Sequence, residues 1–233
     1  MPFEPVIIFR HMEKKNWIIS QHWKDLFFLN FVVDSAELRN LIPSYLELDT
    51  FEGQAFTSIV PFKMSKIRFP FTPTLPFSSL TELNLRTYVK YKGTPGIYFF
   101  TLDSNHRLGN FIANKFFHLP YCYSKIHLNT DQAYDCRAYN LELKAKILAT
   151  KEKTALESFL VERYSLFTDN GTSIFRGQVI HDPWQLSQVS DIDFKETLHN
   201  QYNITQSTFH SCFYSKALDV YFKPFKKVGL INE

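Results

Sequence analysis

The run Glu82-Leu83-Asn84-Leu85-Arg86-Thr87-Tyr88-Val89 alternates with a period of two. In an extended strand this spacing sends Glu82, Asn84, Arg86 and Tyr88 to one face and the more apolar residues to the other. The usual meaning of such alternation is the solvated side of a half-buried sheet, and the alternative is a polar row lining a barrel lumen or a ligand cleft. The strand that follows, Ile97-Tyr98-Phe99-Phe100-Thr101-Leu102, carries bulky residues on both faces, as strands covered on both sides do. If the two strands pair, the Glu82 row also faces inward. A buried glutamate and a buried arginine must then be paired or hydrogen-bonded, because unpaired burial of either charge costs several kcal/mol. Glu82 and Arg86 lie about 13 Å apart along one strand, so a ligand, water or neighbouring strands must bridge them. On sequence alone, pocket and solvated face carry equal weight.

Outward from this strand, the pattern continues as a meander. Leu46 to Phe51 and Gln54 to Phe62 read as strands joined at Glu52-Gly53, and Thr81 to Tyr91 pairs with Ile97 to Asp103 across Gly93-Thr94-Pro95-Gly96. Arg163 to Thr168 and Ser173 to His181 flank the turn Asp169-Asn170-Gly171, Leu141 to Leu148 alternates as a strand with one wet face, and Phe209 to Pro224 reads as a further strand. Three short helices are expected. Asp34 to Ile42 begins on capping residues and stops before Pro43; Leu108 to Phe117 sets Leu108, Phe111, Ile112 and Phe116 on one stripe; Thr154 to Glu162 has capping-box spacing. The proline-rich stretch Phe69 to Phe77 is an irregular loop.

Aromatic residues make up 17% of the 233, with 24 Phe and 12 Tyr against 7 Gly, which favours strands and a large apolar core. No linker or repeat divides the chain, so residues 1–233 are expected to form a single domain. The net charge of +3, from 26 basic and 23 acidic residues, is too balanced for a nucleic-acid surface, and Lys223, Lys226 and Lys227 fit a solvated tail. Cys122, Cys136 and Cys212 are an odd number without a CxxC pair, as suits reduced thiols in a cytoplasm. Met1 to Arg10 lacks the pattern of an export signal, and no run is long enough to span a bilayer, so no membrane partner is expected.

No HxH or HExxH motif, nucleophile elbow, phosphate loop or dinucleotide fingerprint is present, so neither metal nor cofactor is expected. Arg163, Arg176 and His181 form a second polar set. Arginines there suit a carboxylate clamp, although a structural ion pair is the commoner role. His181, before Asp182-Pro183-Trp184, reads as a turn residue.

Several segments carry a resemblance in this order: Leu48-Asp49-Thr50-Phe51-Glu52-Gly53, Val60-Pro61-Phe62-Lys63-Met64, the Glu82 run, Gly96 to Asp103, Phe117-His118-Leu119-Pro120-Tyr121, Glu162-Arg163-Tyr164, and Arg176-Gly177 with Pro183-Trp184. Through them the chain resembles the YqjF-like family of uncharacterised bacterial proteins over nearly its full length. That family is distantly similar to acetoacetate decarboxylase, which implies a closed, mainly antiparallel β-barrel or cone with a central cavity and a few short helices. In the decarboxylase a lysine just after a Phe-Pro pair forms a Schiff base, its amine activated by desolvation and an adjacent cation. The matching stretch here is Leu119-Pro120-Tyr121-Cys122, so tyrosine stands at the nucleophile's place and imine chemistry is not implied. Lys125, four residues on, is expected to be an ordinary exposed lysine. Asn30-Phe31 also replaces the His-Trp pair usual in the family before Val-Asp, so no role for that histidine carries over.

The fold expected is therefore mainly β or α+β, a single antiparallel barrel or cone. The function expected first is binding of a small anionic or carbonyl-bearing molecule, with Arg86, Asn84, Tyr88, Phe100, Arg163 and Arg176 as ligand-binding residues and Tyr121 as a further wall. The second is an enzyme acting on a small organic acid, with Glu82 as general base and Tyr121 as proton donor, its pKa lowered by a nearby cation. The third is a structural or dimerisation module, marked by an exposed apolar patch. A homo-oligomer is compatible with all three.

Overall fold

The computed structural model describes residues 16–75, 79–129 and 133–231. It opens with a long strand, β1 (Ile19–Val33), and a short helix, α1 (Ser35–Leu41), whose first turn is capped by the Asp34 carboxylate accepting from the Glu37 amide at 2.8 Å. Next come β2 (Glu47–Leu48), β3 (Ala55–Arg68), β4 (Leu80–Tyr91) and β5 (Thr94–Ser104), then helix α2 (Arg107–Phe117) and three short strands, β6 (Tyr121–Tyr123), β7 (Ile126–Leu128) and β8 (Tyr134–Cys136). The chain continues through β9 (Leu141–Lys151), helix α3 (Ala155–Val161), β10 (Ser165–Asp169), β11 (Ser173–Ile180), β12 (Leu186–Lys195), helix α4 (Leu198–Gln201), β13 (Ser207–Phe222) and β14 (Lys226–Leu230). The Thr154–Glu157 capping box at α3 is complete, each side chain satisfying the other residue's amide.

Several elements differ from the expectation. The strand expected over Leu46–Phe51 shrinks to β2 and an isolated Phe51–Gln54 bridge, because Glu52 and Gly53 both take positive φ and close the hairpin at once. Lys92 and Gly93, also at positive φ, make the β4–β5 turn, so β5 begins at Thr94, earlier than expected. β1 and β12 carry apolar residues without a clear period and escape a reading by alternation. The Phe69–Phe77 loop is irregular as far as Leu75; Pro76 and Phe77, like Met1 to Arg10, lie outside the described residues.

The strands run in the order β14-β11-β10-β5-β4-β3-β1-β13-β12-β9-β8-β7, with β2 on β4 and β6 on β5. Neighbours are antiparallel except β5–β10 and β5–β6. A further pairing, Val179 with Phe222 and Ile180 with Tyr221, joins β11 to β13, so hydrogen-bonded neighbours return upon themselves through seven strands: β11, β10, β5, β4, β3, β1 and β13. Pro61 sits inside this circuit in β3. The β1–β3 ladder is interrupted between Lys24 and Leu29, beside Asp25 at φ 55°, and the proline lies opposite that break, where a missing amide is least costly.

Both faces of β4 are buried, which is why the sheet requires so many aromatic side chains. Leu83 and Leu85 join a cluster with Leu29, Tyr134 and Leu143, and Tyr88 joins another with Phe28, Phe56, Leu166 and Trp184. α3 closes on this second cluster through Leu160 and through Phe159, whose ring lies 5.2 Å from that of Tyr88.

β10 approaches β5 through one pair, Leu166 with Ile97, and Gly96 permits it. A Cβ on Gly96 would lie 2.7 Å from the Phe167 ring and 2.8 Å from the Ser165 carbonyl oxygen. Gly96→Ala is expected to lower the unfolding free energy by about 1–3 kcal/mol in urea denaturation, the usual cost of overpacking. An unchanged midpoint would show that β10 is not held at this distance.

Candidate functional site

The β3–β4 and β4–β5 registers set the candidate site. Across β3 and β4, Phe62 faces Glu82, Val60 faces Asn84 and Ser58 faces Arg86; on the far side Ser104 faces Glu82, Leu102 faces Asn84 and Phe99 faces Arg86. Asn30 of β1 extends the third row, directly opposite Ser58. The Glu82, Asn84, Arg86 and Tyr88 side chains are all buried, so the polar face of the alternating run points inward.

At one end, the Tyr121 hydroxyl donates to Glu82 Oε2 at 2.7 Å. β6 delivers Tyr121 there by pairing it with Leu102, and Asn114 of α2 holds its backbone from both sides, accepting from the Tyr121 amide at 2.8 Å and donating to its carbonyl at 2.9 Å. Desolvation pushes the Glu82 carboxyl up to about 7, outweighing hydrogen bonds from Tyr121 and Asn84 that favour the charged form, with Asp103 adding a smaller upward push. Burial and the Glu82 carboxylate raise the Tyr121 hydroxyl well above its ordinary value. The expected cation beside Tyr121 is not what sets its acidity: the shift runs upward, and this phenol is a hydrogen-bond donor that resists ionisation.

Arg86 occupies the middle. Its Nη2 donates to the Leu160 carbonyl at 3.1 Å, and its guanidinium lies 5.4 Å from the Phe28 ring centroid and 5.9 Å from that of Tyr88. Among the described residues it makes no ion pair, and Arg86 Nε and Asn84 Oδ1 are buried without a hydrogen-bond partner. One is a donor and the other an acceptor, two residues apart on one face of β4. At the other end, Ser58 links Tyr88 and Asn30, with 2.6 Å from its Oγ to the Tyr88 hydroxyl and 2.6 Å to Asn30 Oδ1.

Of the remaining expected residues, Phe100 and Arg176 lie elsewhere, whereas Arg163 sits beside the row, its guanidinium 5.5 Å from the Tyr88 ring centroid. Arg163 is ion-paired to the buried Asp49 at 2.8 Å and donates to the Phe159 carbonyl, while Lys90 reaches the other Asp49 oxygen at 2.7 Å. It is a structural clamp rather than a free carboxylate binder. Phe100 is set aside by a register shift between Leu85 and Arg86, which leaves Phe99 opposite Arg86 and packs Phe100 against the clusters of the other face. Arg176 is half-buried on β11, opposite Phe167 of the third cluster. Lys125 is exposed, as expected of an ordinary lysine. Asn30 and Ser58 were missed by the sequence reading; the signal for Asn30 was a lone amide within the apolar run Leu26 to Val33.

A cleft of about 390 Å³ opens where β5 and β10 diverge beyond their single pair, lined in part by Phe99, His118, Leu119, Pro120, Thr168 and Asp169. Phe99 is the cross-strand neighbour of Arg86, and Leu119-Pro120 immediately precede Tyr121, but none of Glu82, Asn84, Arg86, Tyr88 or Tyr121 lines the cleft itself. Among the described residues no group of three or more His, Cys, Asp or Glu is placed to hold a metal ion.

Comparison with known proteins gives three findings. Residues 20–219 match the model of the family DUF2071, described as "Uncharacterized conserved protein". The chain is 39% identical over 224 residues to "Uncharacterized protein YqjF" of Bacillus subtilis, covering 91% of this chain and 93% of that protein. Among solved structures it superposes on acetoacetate decarboxylase from Legionella pneumophila with a TM-score of 0.65 at 12% identity, covering 100% of this chain and 99% of that one. The enduracididine biosynthesis enzyme MppR, in a complex with pyruvate, gives a TM-score of 0.64 at 10% identity, covering 93% and 91%. The mainly β architecture with few helices thus matches the acetoacetate decarboxylase-like fold.

The Glu82 shift yields a stability prediction. A carboxyl whose folded pKa is raised to about 7 stabilises the fold fully below its unfolded value near 4.5, and loses that contribution as pH rises through 7. The parent is expected to lose on the order of 3 kcal/mol relative to Glu82→Gln between pH 4.5 and pH 8, read from paired denaturation curves. Parallel pH profiles for the two proteins would show that Glu82 ionises as freely as in water.

Proposed function

Since the chain belongs to DUF2071, the YqjF-like family, and carries the acetoacetate decarboxylase-like fold, we propose that it is a cytoplasmic small-molecule-binding protein whose seven-strand circuit forms a barrel around a site for a small carboxylate or carbonyl compound. The observation that carries this reading is Arg86, a buried guanidinium that among the described residues has one backbone hydrogen bond, no carboxylate partner, and an unpartnered Nε beside the unpartnered Asn84 Oδ1. Such a pair is costly in a finished core and is relieved by a ligand presenting a negative oxygen to Arg86 and a donor to Asn84. Tyr88 and Phe28 wall the site, and the cleft between β5 and β10, lined by Phe99 opposite Arg86, is the entrance proposed for it. The three free cysteines suit a reducing compartment.

Pyruvate, the ligand of one fold neighbour, is the first compound to test for the Arg86 contact; it carries no donor, so lactate, whose hydroxyl can donate to Asn84 Oδ1, is tested beside it. In isothermal titration calorimetry Arg86→Gln is expected to weaken binding by about 10- to 100-fold, the range for losing a charge-assisted hydrogen bond, with Arg86→Lys intermediate. Circular dichroism establishes that the variants fold. Equal affinity in folded parent and Arg86→Gln would remove Arg86 from the site.

One observation favours a catalytic reading of the same site: Glu82, its pKa near 7, accepts a hydrogen bond from the Tyr121 hydroxyl, so a base and the phenol that orients it meet on one buried face. If Glu82 acts as the base, turnover of a keto acid, enol or lactone rises with pH through about 7 and falls by roughly 100-fold or more in Glu82→Gln. Turnover equal in parent and variant across such a panel would leave binding without catalysis.

A further inference from the structure

α2 turns its apolar stripe away from the core. Leu108, Phe111 and Phe116 are 64%, 59% and 65% exposed, and Ile112 shares their face. The reason lies on the inner side, where Asn110 donates to the Cys122 carbonyl at 2.7 Å and Asn114 brackets Tyr121. Two asparagines one turn apart tie the helix to β6, so its hydrophobic side faces out.

This exposure is not scattered. Eight of the ten exposed large apolar side chains among the described residues fall within residues 69–75 and 108–123. The two segments share one end of the sheet: Thr81, where the β3–β4 connection ends, bonds Asn105 just before α2 through both its amide and its carbonyl. Neither stretch from Gly53 to Thr81 nor from Ser104 to Thr130 holds an acidic residue, while Lys66, Arg68, Arg107, Lys115 and Lys125 are exposed within them. Arg107 lies 3.9 Å from the ring centroid of Tyr123, and Lys115 lies 5.7 Å from that of Phe111, so cations flank the apolar side chains.

We propose that this end of the molecule docks onto an anionic lipid surface, with the outer face of α2 and the Phe69–Leu75 loop dipping into the headgroup boundary and the five cations meeting lipid phosphates and carboxylates. Aromatic and aliphatic side chains flanked by cations suit insertion to a depth of about 5–10 Å beside anionic headgroups. The charge decides between occupants. A second copy would bring the same cations face to face with no carboxylate in either segment to offset them, whereas an anionic leaflet complements them. Docking of this kind is peripheral and differs from spanning: among the described residues no helix is long and apolar enough to cross a membrane.

The test is co-sedimentation of the full chain with phosphatidylcholine vesicles made with and without phosphatidylserine. Binding is expected only with phosphatidylserine, weakening as salt is raised. The double substitution Phe111→Asp with Phe116→Asp is expected to lower the partition coefficient at least about tenfold, since a carboxylate replaces an inserted ring on each side of the stripe. Lys115→Gln, which leaves the apolar face untouched and keeps the test open if the double variant fails to fold, is expected to lower it about fivefold. No binding to either vesicle, or equal binding by parent and both variants, overturns the proposal. So does a dimer in sedimentation velocity that the double substitution dissociates, which would assign the face to a second copy.

Discussion

Everything else in this structure is arranged around burying the polar side of β4. Four side chains that would ordinarily face water are enclosed, and each must recover in protein contacts what it loses in hydration. Tyr88 does so through Ser58 and Asn30, Glu82 through Tyr121, and Arg86 through the Leu160 carbonyl and the faces of Phe28 and Tyr88. The partners come from β1, β3, β6 and α3, so the strand order and the placement of α3 follow from the same requirement. Satisfaction stops short at Arg86 Nε and Asn84 Oδ1. Two complementary groups on one face of β4 are thus left open among the described residues, the gap that the proposed ligand would fill.

The other side of the same hairpin gives the contrast. Asp103, buried one step from Ser104, accepts hydrogen bonds from Thr101 at 2.6 Å, Ser124 at 2.6 Å and Tyr139 at 2.7 Å. Three hydroxyl donors suffice for a carboxylate that remains part of the framework. Glu82 has fewer donors to offset its desolvation, and its pKa rises to about 7. Two carboxylates on opposite faces of one strand pair are therefore held differently, Asp103 by three hydroxyls and Glu82 by Tyr121 in a site whose desolvation outweighs its hydrogen bonds.

Period-two spacing made the polar row and most of the hairpins legible in the sequence, because alternation and turn chemistry are local properties, but it left open whether the row faces inward or to solvent, which the partner strands decide. β1 was not legible: its second half, Leu26 to Val33, is mainly apolar on both faces and its register depends on strands far along the chain. Arg163 looked available until Asp49, 114 residues away in sequence, was brought against it. Phe100 looked like a wall until a one-residue register shift moved it to the other face. The stripe on α2 correctly indicated a helix, but only the asparagines bound to β6 reveal that it faces outward. The residues misplaced are those whose neighbours are set by long-range pairing, and the site is built mostly of such neighbours.

The most direct measurement of the central claim is a crystal structure of the protein soaked with pyruvate at neutral pH. The expected result is the ligand inside the strand circuit, with an oxygen within hydrogen-bond distance of Arg86 Nε and with Glu82 still bonded to Tyr121. A structure in which side chains close the space between Arg86 and Asn84, and pyruvate is absent or held only at the surface, would contradict it.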